Sequence, residues 1–289
     1  MITLIEAHKK FIGDLKKKGR ASATTVAYSQ DITQLIDFLA NQKLNEANKV
    51  ELEHLNKFMT SLEADGLKNK TISRKTNSTR TFFKYLKQEN LIDINPAQNL
   101  EHPEVKSKDP RILSKQEYRS LRDAVRKDIR TAAIVELLLQ TGIRIGELAR
   151  LSLSDVKLNG GKGEIYISDF GSHEARVVPI NDAAEEAIAE YIKIRPTNVK
   201  SENFFITKTG RPLLVRNIRA TLNRYFTNAE INNVKVNDLR HTFIAHHLTQ
   251  GTNLLTISKI AGHKRLSTTE KYLNYIKNPA EQKVELEEL

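Results

Sequence analysis

Between Ile94 and Leu113 the chain reads INPAQNLEHPEVKSKDPRIL, with three prolines and no repeat of apolar positions. Proline lacks an amide donor and restricts the residue before it, so neither a helix nor a central strand can run through this stretch. It divides the chain. The expected parts are a helical domain over residues 1–100, a linker over 101–112, a second domain over 113–278 and a tail over 279–289.

Ahead of the linker the apolar residues fall at helical spacing. Leu4, Ile5, Phe11, Ile12 and Leu15 mark a first helix that Gly19 is placed to end. A second is expected from about Ala23 to Gln42 on Tyr28, Ile32, Leu35, Ile36 and Leu39. A third, from about Val50 to Ala64, would bury Leu52, Leu55, Phe58, Met59 and Leu62 and stop near Gly66. A fourth, from about Asn69 to Asn90, has Ile72, Phe82, Phe83 and Leu86 for the core. On it Lys70, Arg74, Arg80, Lys84 and Lys87 lie among Thr and Ser. These are either a solvated charged face or a row of donors to phosphates and base edges.

Beyond the linker Ser114 is an expected N-cap. The run RTAAIVELLLQTG is nearly all apolar in its middle, as a helix inside a core should be, and Gly142 closes it. Residues 155–180 carry glycines, β-branched residues and two short alternating runs, Glu164–Ile167 and Ala175–Pro179, which predict an antiparallel hairpin or three-stranded sheet. Helical spacing returns over Asp182–Ile194. A strand-like FFITKTGRPL and a helix around Arg216–Phe226 follow. The fold class is mainly α with a small β element.

The net charge of +11 and pI of about 9.6 point to a polyanionic partner, because each neutralised phosphate releases condensed counterions. The first hundred residues carry +5 of that charge, so both parts are expected to touch the partner. The absence of cysteine excludes disulfides, thiolate metal sites and thiol nucleophiles. No apolar run approaches the ~18 residues of a membrane span, and the first residues lack a signal peptide's apolar core, so a cytoplasmic protein is expected. His241, His246 and His247 lack the i,i+4 pair of a helical zinc site, and no glycine-rich phosphate loop is present. Neither metal nor cofactor is expected.

Two stretches carry the chemistry. In TGIRIGELARL, Arg144 projects from a turn among apolar neighbours, with Glu147 placed to steady its guanidinium. In Asn237–Tyr275, Arg240 is expected to open a helix after a turn at Asn237, where a phosphate also meets free helix amides. His263 follows Gly262. Ser267-Thr268-Thr269-Glu270 has the form of a capping box, which would place Tyr272 in the second turn of a last helix. Two arginines beside a tyrosine can lower its pKa and stabilise a pentavalent phosphate.

These motifs resemble the tyrosine recombinases, or phage integrase family, and in particular its compact Xer-like members, over essentially the whole chain. TGIRIGELARLSLSDV is similar to the family's first box, NDLRHTF to its second and AGHKRLSTTEKYLNY to its last. The resemblance implies Arg144, Arg240 and His263 as catalytic residues, Glu147 and Asp155 as supporting acids, and Tyr272 rather than Tyr275 as nucleophile. Where the family has a histidine three residues before the second arginine, this chain has Asn237. The family's hairpin lysine, a general acid, falls on Gly171. The nearest lysine is Lys162, at the wrong end of the first strand, and His173 on the tip is the other stand-in.

The implied architecture is a four-helix, SAM-like core-binding domain plus a mixed α/β catalytic domain, forming a C-shaped clamp on double-stranded DNA. Lys70, Arg74, Arg80, Lys84, Arg211 and Arg216 are the expected DNA contacts. The implied reaction is strand exchange through a 3′-phosphotyrosyl link and a Holliday junction, in a homotetramer on two sites or a heterotetramer with a second recombinase. The tail would dock on a neighbouring subunit. Two other readings stay open, a catalytically weak relative that only binds DNA and a helix-turn-helix regulator.

Overall fold

The computed structural model describes residues 2–105, 109–171 and 173–275; the expected tail over 279–289 lies outside them. The chain divides between residues 108 and 109 into two compact units.

The first unit is built from α1 (Leu4–Lys17), α2 (Ser22–Asn41), α3 (Leu52–Ala64) and α4 (Asn69–Gln88). Thr3 caps α1 by accepting from the Glu6 amide, and Gly19 follows the helix in the left-handed region. Phe11, Leu35, Phe58, Phe82, Phe83 and Leu86 close one core among these helices, whereas Ile5 stands outside it. The basic face of α4 is partly spent on that packing. Lys75 is buried and donates to Asp31 at 3.0 Å and to Gln34 at 2.6 Å, and Arg74 pairs with the same Asp31. Arg74 is therefore first of all a counter-ion to a buried carboxylate. Arg80 reaches the Leu100 carbonyl at 3.4 Å, and Lys70 and Lys84 are exposed.

The second unit begins with α5 (Lys115–Val125), whose N-cap Ser114 and Glu117 form a capping box. Then come α6 (Ile129–Thr141) and the single-turn α7 (Ile145–Leu148). Strands β1 (Val156–Lys157), β2 (Glu164–Ile167) and β3 (Arg176–Pro179) form an antiparallel sheet in the order β1-β2-β3. Ile165 opposite Val178, with Ile167, faces the core, while Tyr166 opposite Val177 faces out. After the sheet come α8 (Asp182–Ile194), α9 (Val215–Asn228), α10 (Val236–Thr249), α11 (Leu254–Ala261) and the single-turn α12 (Ser267–Glu270). FFITKTGRPL contributes bridges such as Ile206 to Pro212 rather than a strand of the sheet. Helix α6 lies at the centre of the core, packed against α8 and α10. Among the described residues no helix is long and apolar enough to cross a membrane.

Candidate active site

The site is assembled at the C-terminal end of α11. Gly262 follows that helix at φ 64°, and its amide turns back to the carbonyls of Ser258 and Lys259. The next three carbonyls have no helical donor. Each instead takes an arginine from a different part of the chain. Arg176 Nε donates to Ile260 O at 2.8 Å, Arg240 Nη2 to Ala261 O at 2.6 Å and Arg144 Nη2 to Gly262 O at 2.8 Å. A helix C-terminus favours cations through its dipole, so one short helix gathers three of them. Arg240 also donates to the carbonyl of Gly142, the left-handed cap of α6, at 2.5 Å. It sits in the second turn of α10 rather than opening that helix, and Asn237 lies in the first turn.

Glu147 ties the arrangement together. Its carboxylate, 6% exposed, accepts from Arg144 Nη1 at 2.9 Å, from Arg176 Nη1 and Nη2 at 3.0 and 2.7 Å, and from the Arg144 amide at 2.8 Å. Burial alone would raise its pKa. The hydrogen bonds from Arg176 and the Arg144 amide, with both guanidinium charges, outweigh burial and hold it at about 2. Burial acts the other way on Arg240, 4% exposed, and with Arg144 beside it brings the pKa down to about 9, still charged at neutral pH. His263 places Nδ1 at 2.7 Å from Thr269 Oγ1, and burial followed by the Arg240 and Arg144 charges pushes its pKa down to about 4. It is neutral.

Three guanidinium groups thus stand beside one carboxylate, which pairs with Arg144 and Arg176 but not Arg240, so two of the three positive charges are left uncompensated among the described residues. Charges held this far from water need a partner. A phosphate supplies it, with oxygens that match the planar fork of arginine. Gly262 is a strict requirement of this geometry. A Cβ there would lie 2.8 Å from Arg176 Cζ, and that guanidinium is fixed by Glu147. Gly262→Ala is expected to cost about 1–3 kcal/mol in urea unfolding, combining left-handed strain with displacement of Arg176; an unchanged midpoint would contradict the close approach.

Tyr272, 5% exposed, points into the same region. It lies just past α12, in the turn before a 3₁₀ turn at Leu273–Tyr275, not in a second helical turn. Ser267 is the first residue of α12 and not its cap; no side chain caps that helix, and Thr269 is buried against His263 instead. The Tyr272 hydroxyl is 2.5 Å from His241 Nδ1, and the other nitrogen of that ring is 2.8 Å from the Asn237 amide. The tyrosine's pKa is not lowered as two neighbouring arginines would suggest. Burial raises it, and Arg240 only partly offsets this. Tyr275 is half-buried and hydrogen-bonds Asp109 instead.

The remaining candidates separate by position. Asp155 accepts from the Ser152 amide at 2.8 Å and caps a 3₁₀ turn; it contacts none of the three arginines. Lys162 is exposed in the β1–β2 connection, at the Glu164–Pro179 end of the sheet, whereas Arg176 is at the Ile167 end, so it lies on the wrong side. His173 lies on the right side. With Arg176, Gly262, His263 and Lys264 it lines a cavity of about 550 Å³, and its buried Nδ1 has no hydrogen-bond partner among the described residues. Arg211 and Arg216 are exposed, ahead of and at the start of α9. Arg176 was not singled out in the sequence, and His241 was weighed there only as a metal ligand. For His241 the signal was its i+4 spacing from Asn237, which puts both on the face of α10 that carries Arg240.

Residues 111–278 match the phage integrase family, and residues 9–90 match the phage integrase N-terminal SAM-like domain. The chain is 31% identical over 270 residues to tyrosine recombinase XerC of Staphylococcus carnosus, covering 91% of this chain and 90% of that one. It is also 31% identical to tyrosine recombinase XerC of Thermodesulfovibrio yellowstonii, covering 91% and 89%. Its fold is similar to that of the XerH site-specific recombinase bound to palindromic difH substrate (TM-score 0.76, 19% identity, 92% of this chain and 82% of that one). It is similar as well to a lambda integrase fragment bound as a dimer to a COC′ core site (TM-score 0.76, 15% identity, 92% and 97%). With the clustered arginines and the tyrosine beside them, these matches establish that the chain belongs to the phage integrase family, the tyrosine recombinases, enzymes that break and rejoin DNA.

Proposed function

We propose that this chain recombines specific DNA sites by attack of Tyr272 on a phosphate held by Arg144 and Arg240. The observation that carries the reading is the pair of uncompensated positive charges beside a buried tyrosine. As the Tyr272 oxygen bonds to phosphorus, the bond to the 5′ oxygen breaks, leaving a 3′-phosphotyrosyl link and a free 5′-hydroxyl. The two arginines, with neutral His263 as a further hydrogen-bonding group, stabilise the charge that builds on the non-bridging oxygens. Arg176 and Glu147 hold those groups in place. The phosphotyrosine retains the energy of the bond, so the 5′-hydroxyl of a second duplex can displace the tyrosine and pass through a Holliday junction. Two sites cut strand by strand call for four subunits, either four copies or two each of this chain and a second recombinase. Lys70, Lys84, Arg211 and Arg216, exposed and without ion pairs among the described residues, supply non-specific phosphate contacts.

The missing hairpin lysine favours one other reading, a relative that binds DNA without cutting it. A duplex enriched from a randomised pool on the full-length protein, nicked near its centre, separates the two. The expected result is an SDS-stable protein–DNA adduct that Tyr272→Phe abolishes while binding remains. Tight binding with no adduct from the unsubstituted chain would leave the binding-only reading.

A further inference from the structure

Tyr272 is buried and its pKa is raised, so its proton must be removed as it attacks. The position at which the family resemblance implies a histidine holds Asn237, which cannot accept a proton. The face of α10 supplies another group one turn along. We infer that His241, oriented by Asn237, is the general base that takes the Tyr272 proton, so that Asn237, His241 and Tyr272 act as a relay; the inference rests on the strand-cleavage reading above.

Three observations carry it. His241 Nδ1 is 2.5 Å from the Tyr272 hydroxyl, the heavy-atom separation at which a proton passes directly. The other ring nitrogen, Nε2, is 2.8 Å from Asn237 Nδ2, and a half-turn of that side-chain amide about Cβ–Cγ exchanges Nδ2 for Oδ1 at this position. A carbonyl there fixes the ring proton on Nε2 and leaves the Nδ1 lone pair facing the tyrosine. Burial and Arg240, against the opposing charge of Asp238, lower the histidine's pKa, so the ring is neutral and free to accept at pH 7.

The step balances. The tyrosine O–H pair becomes the Oη–P bond, its proton moves to Nδ1, and the P–O5′ bond breaks with its electrons on the leaving oxygen, which takes up a proton from solvent to become the 5′-hydroxyl. Nε2–H of the imidazolium then donates to Asn237 Oδ1. On rejoining, the 5′-hydroxyl gives its proton back to solvent as it displaces the tyrosine, which recovers its own proton from His241. Neither His173 nor His263 hydrogen-bonds the tyrosine oxygen, so among the described histidines only His241 is placed to take its proton.

The test uses the full-length protein. Nitrogen NMR of His241 without DNA is expected to give the neutral Nε2–H tautomer, blurred toward a mixture in Asn237→Ala; an Nδ1–H tautomer overturns the proposal. On the enriched nicked duplex, His241→Gln, which keeps a hydrogen-bonding side chain but cannot take up the proton, should slow adduct formation by about 10²–10⁴-fold. Asn237→Ala should slow it about fivefold, the worth of one neutral hydrogen bond. Replacing the bridging 5′ oxygen by sulfur removes the need to protonate the leaving group. The His241→Gln deficit should persist on that substrate, and its disappearance would assign His241 to the leaving group and overturn the proposal. Unimpaired cleavage by His241→Gln overturns it while leaving the Tyr272 reading intact, whereas an adduct that survives Tyr272→Phe sinks both.

Discussion

Arg240→Ala is expected to slow formation of the covalent adduct by about 10³-fold or more while weakening DNA binding by less than about tenfold. The large factor follows from where the guanidinium is held. It is buried against the carbonyls of Gly142 and Ala261, beside Tyr272, so its charge acts on the reacting phosphate with little screening by water. The small factor follows from how DNA binding is distributed, since affinity is shared among many phosphate contacts spread over a chain of net charge +11. Removing Arg240 also leaves two buried carbonyls without donors, at a cost of about 1–3 kcal/mol. Arg240→Lys separates the two effects. It keeps the charge but cannot bridge both carbonyls, so it should recover most of the stability and only part of the rate. Single-turnover cleavage and binding are measured on the same nicked duplex. Arg144→Ala should behave in the same way. Loss of binding in proportion to loss of cleavage would show that these arginines serve affinity rather than the chemical step.

How much of this was legible in the sequence depends on the range of the interaction that decides it. Helices α1 to α4 follow from apolar spacing, and Ser114, Gly19 and Gly142 mark helix ends by local rules, so each could be read from a few neighbouring residues. The sheet followed from alternation. Ser267 went wrong for a local reason: a Ser followed three residues later by Glu fits the capping pattern, but the chain is already helical at Leu266, and the buried partner is Thr269 with His263. Arg144 and Arg240 were legible through motif, but their common seat was not. It is made by the free carbonyls of α11, and no pattern along the chain says which arginines a helix end will collect. Arg176 escaped notice for that reason. It is the first residue of an alternating strand, and only the contact of the sheet with α11 turns it toward Glu147. The lowered tyrosine pKa failed because nearby charges were weighed without burial, which here is the larger effect.

Glu147→Gln should destabilise the second unit by about 3–5 kcal/mol at pH 7, because this carboxylate is the ion-pair partner of two guanidinium groups and the Arg176 side chain is only 10% exposed. The pH dependence carries the same information. The folded carboxyl is held at about 2, below its ordinary 4.5, which corresponds to about 3 kcal/mol of stability. Because the folded value is the lower one, this stability is fully present above pH 4.5 and is lost as pH falls toward 2. Urea midpoints of the unsubstituted protein should therefore drop across that window. In Glu147→Gln the contribution of this group should be missing at every pH, so the two proteins converge near pH 2. The variant also gains a positive charge in a site that already holds two without counter-ions. An anion that binds only the folded site stabilises it by mass action. Inorganic sulfate should raise the thermal midpoint of Glu147→Gln more than that of the unsubstituted protein at equal ionic strength, whereas chloride should not separate them. Equal responses to both salts would mean that the extra charge is screened by water, and that the arginines do not form an anion site in the absence of DNA.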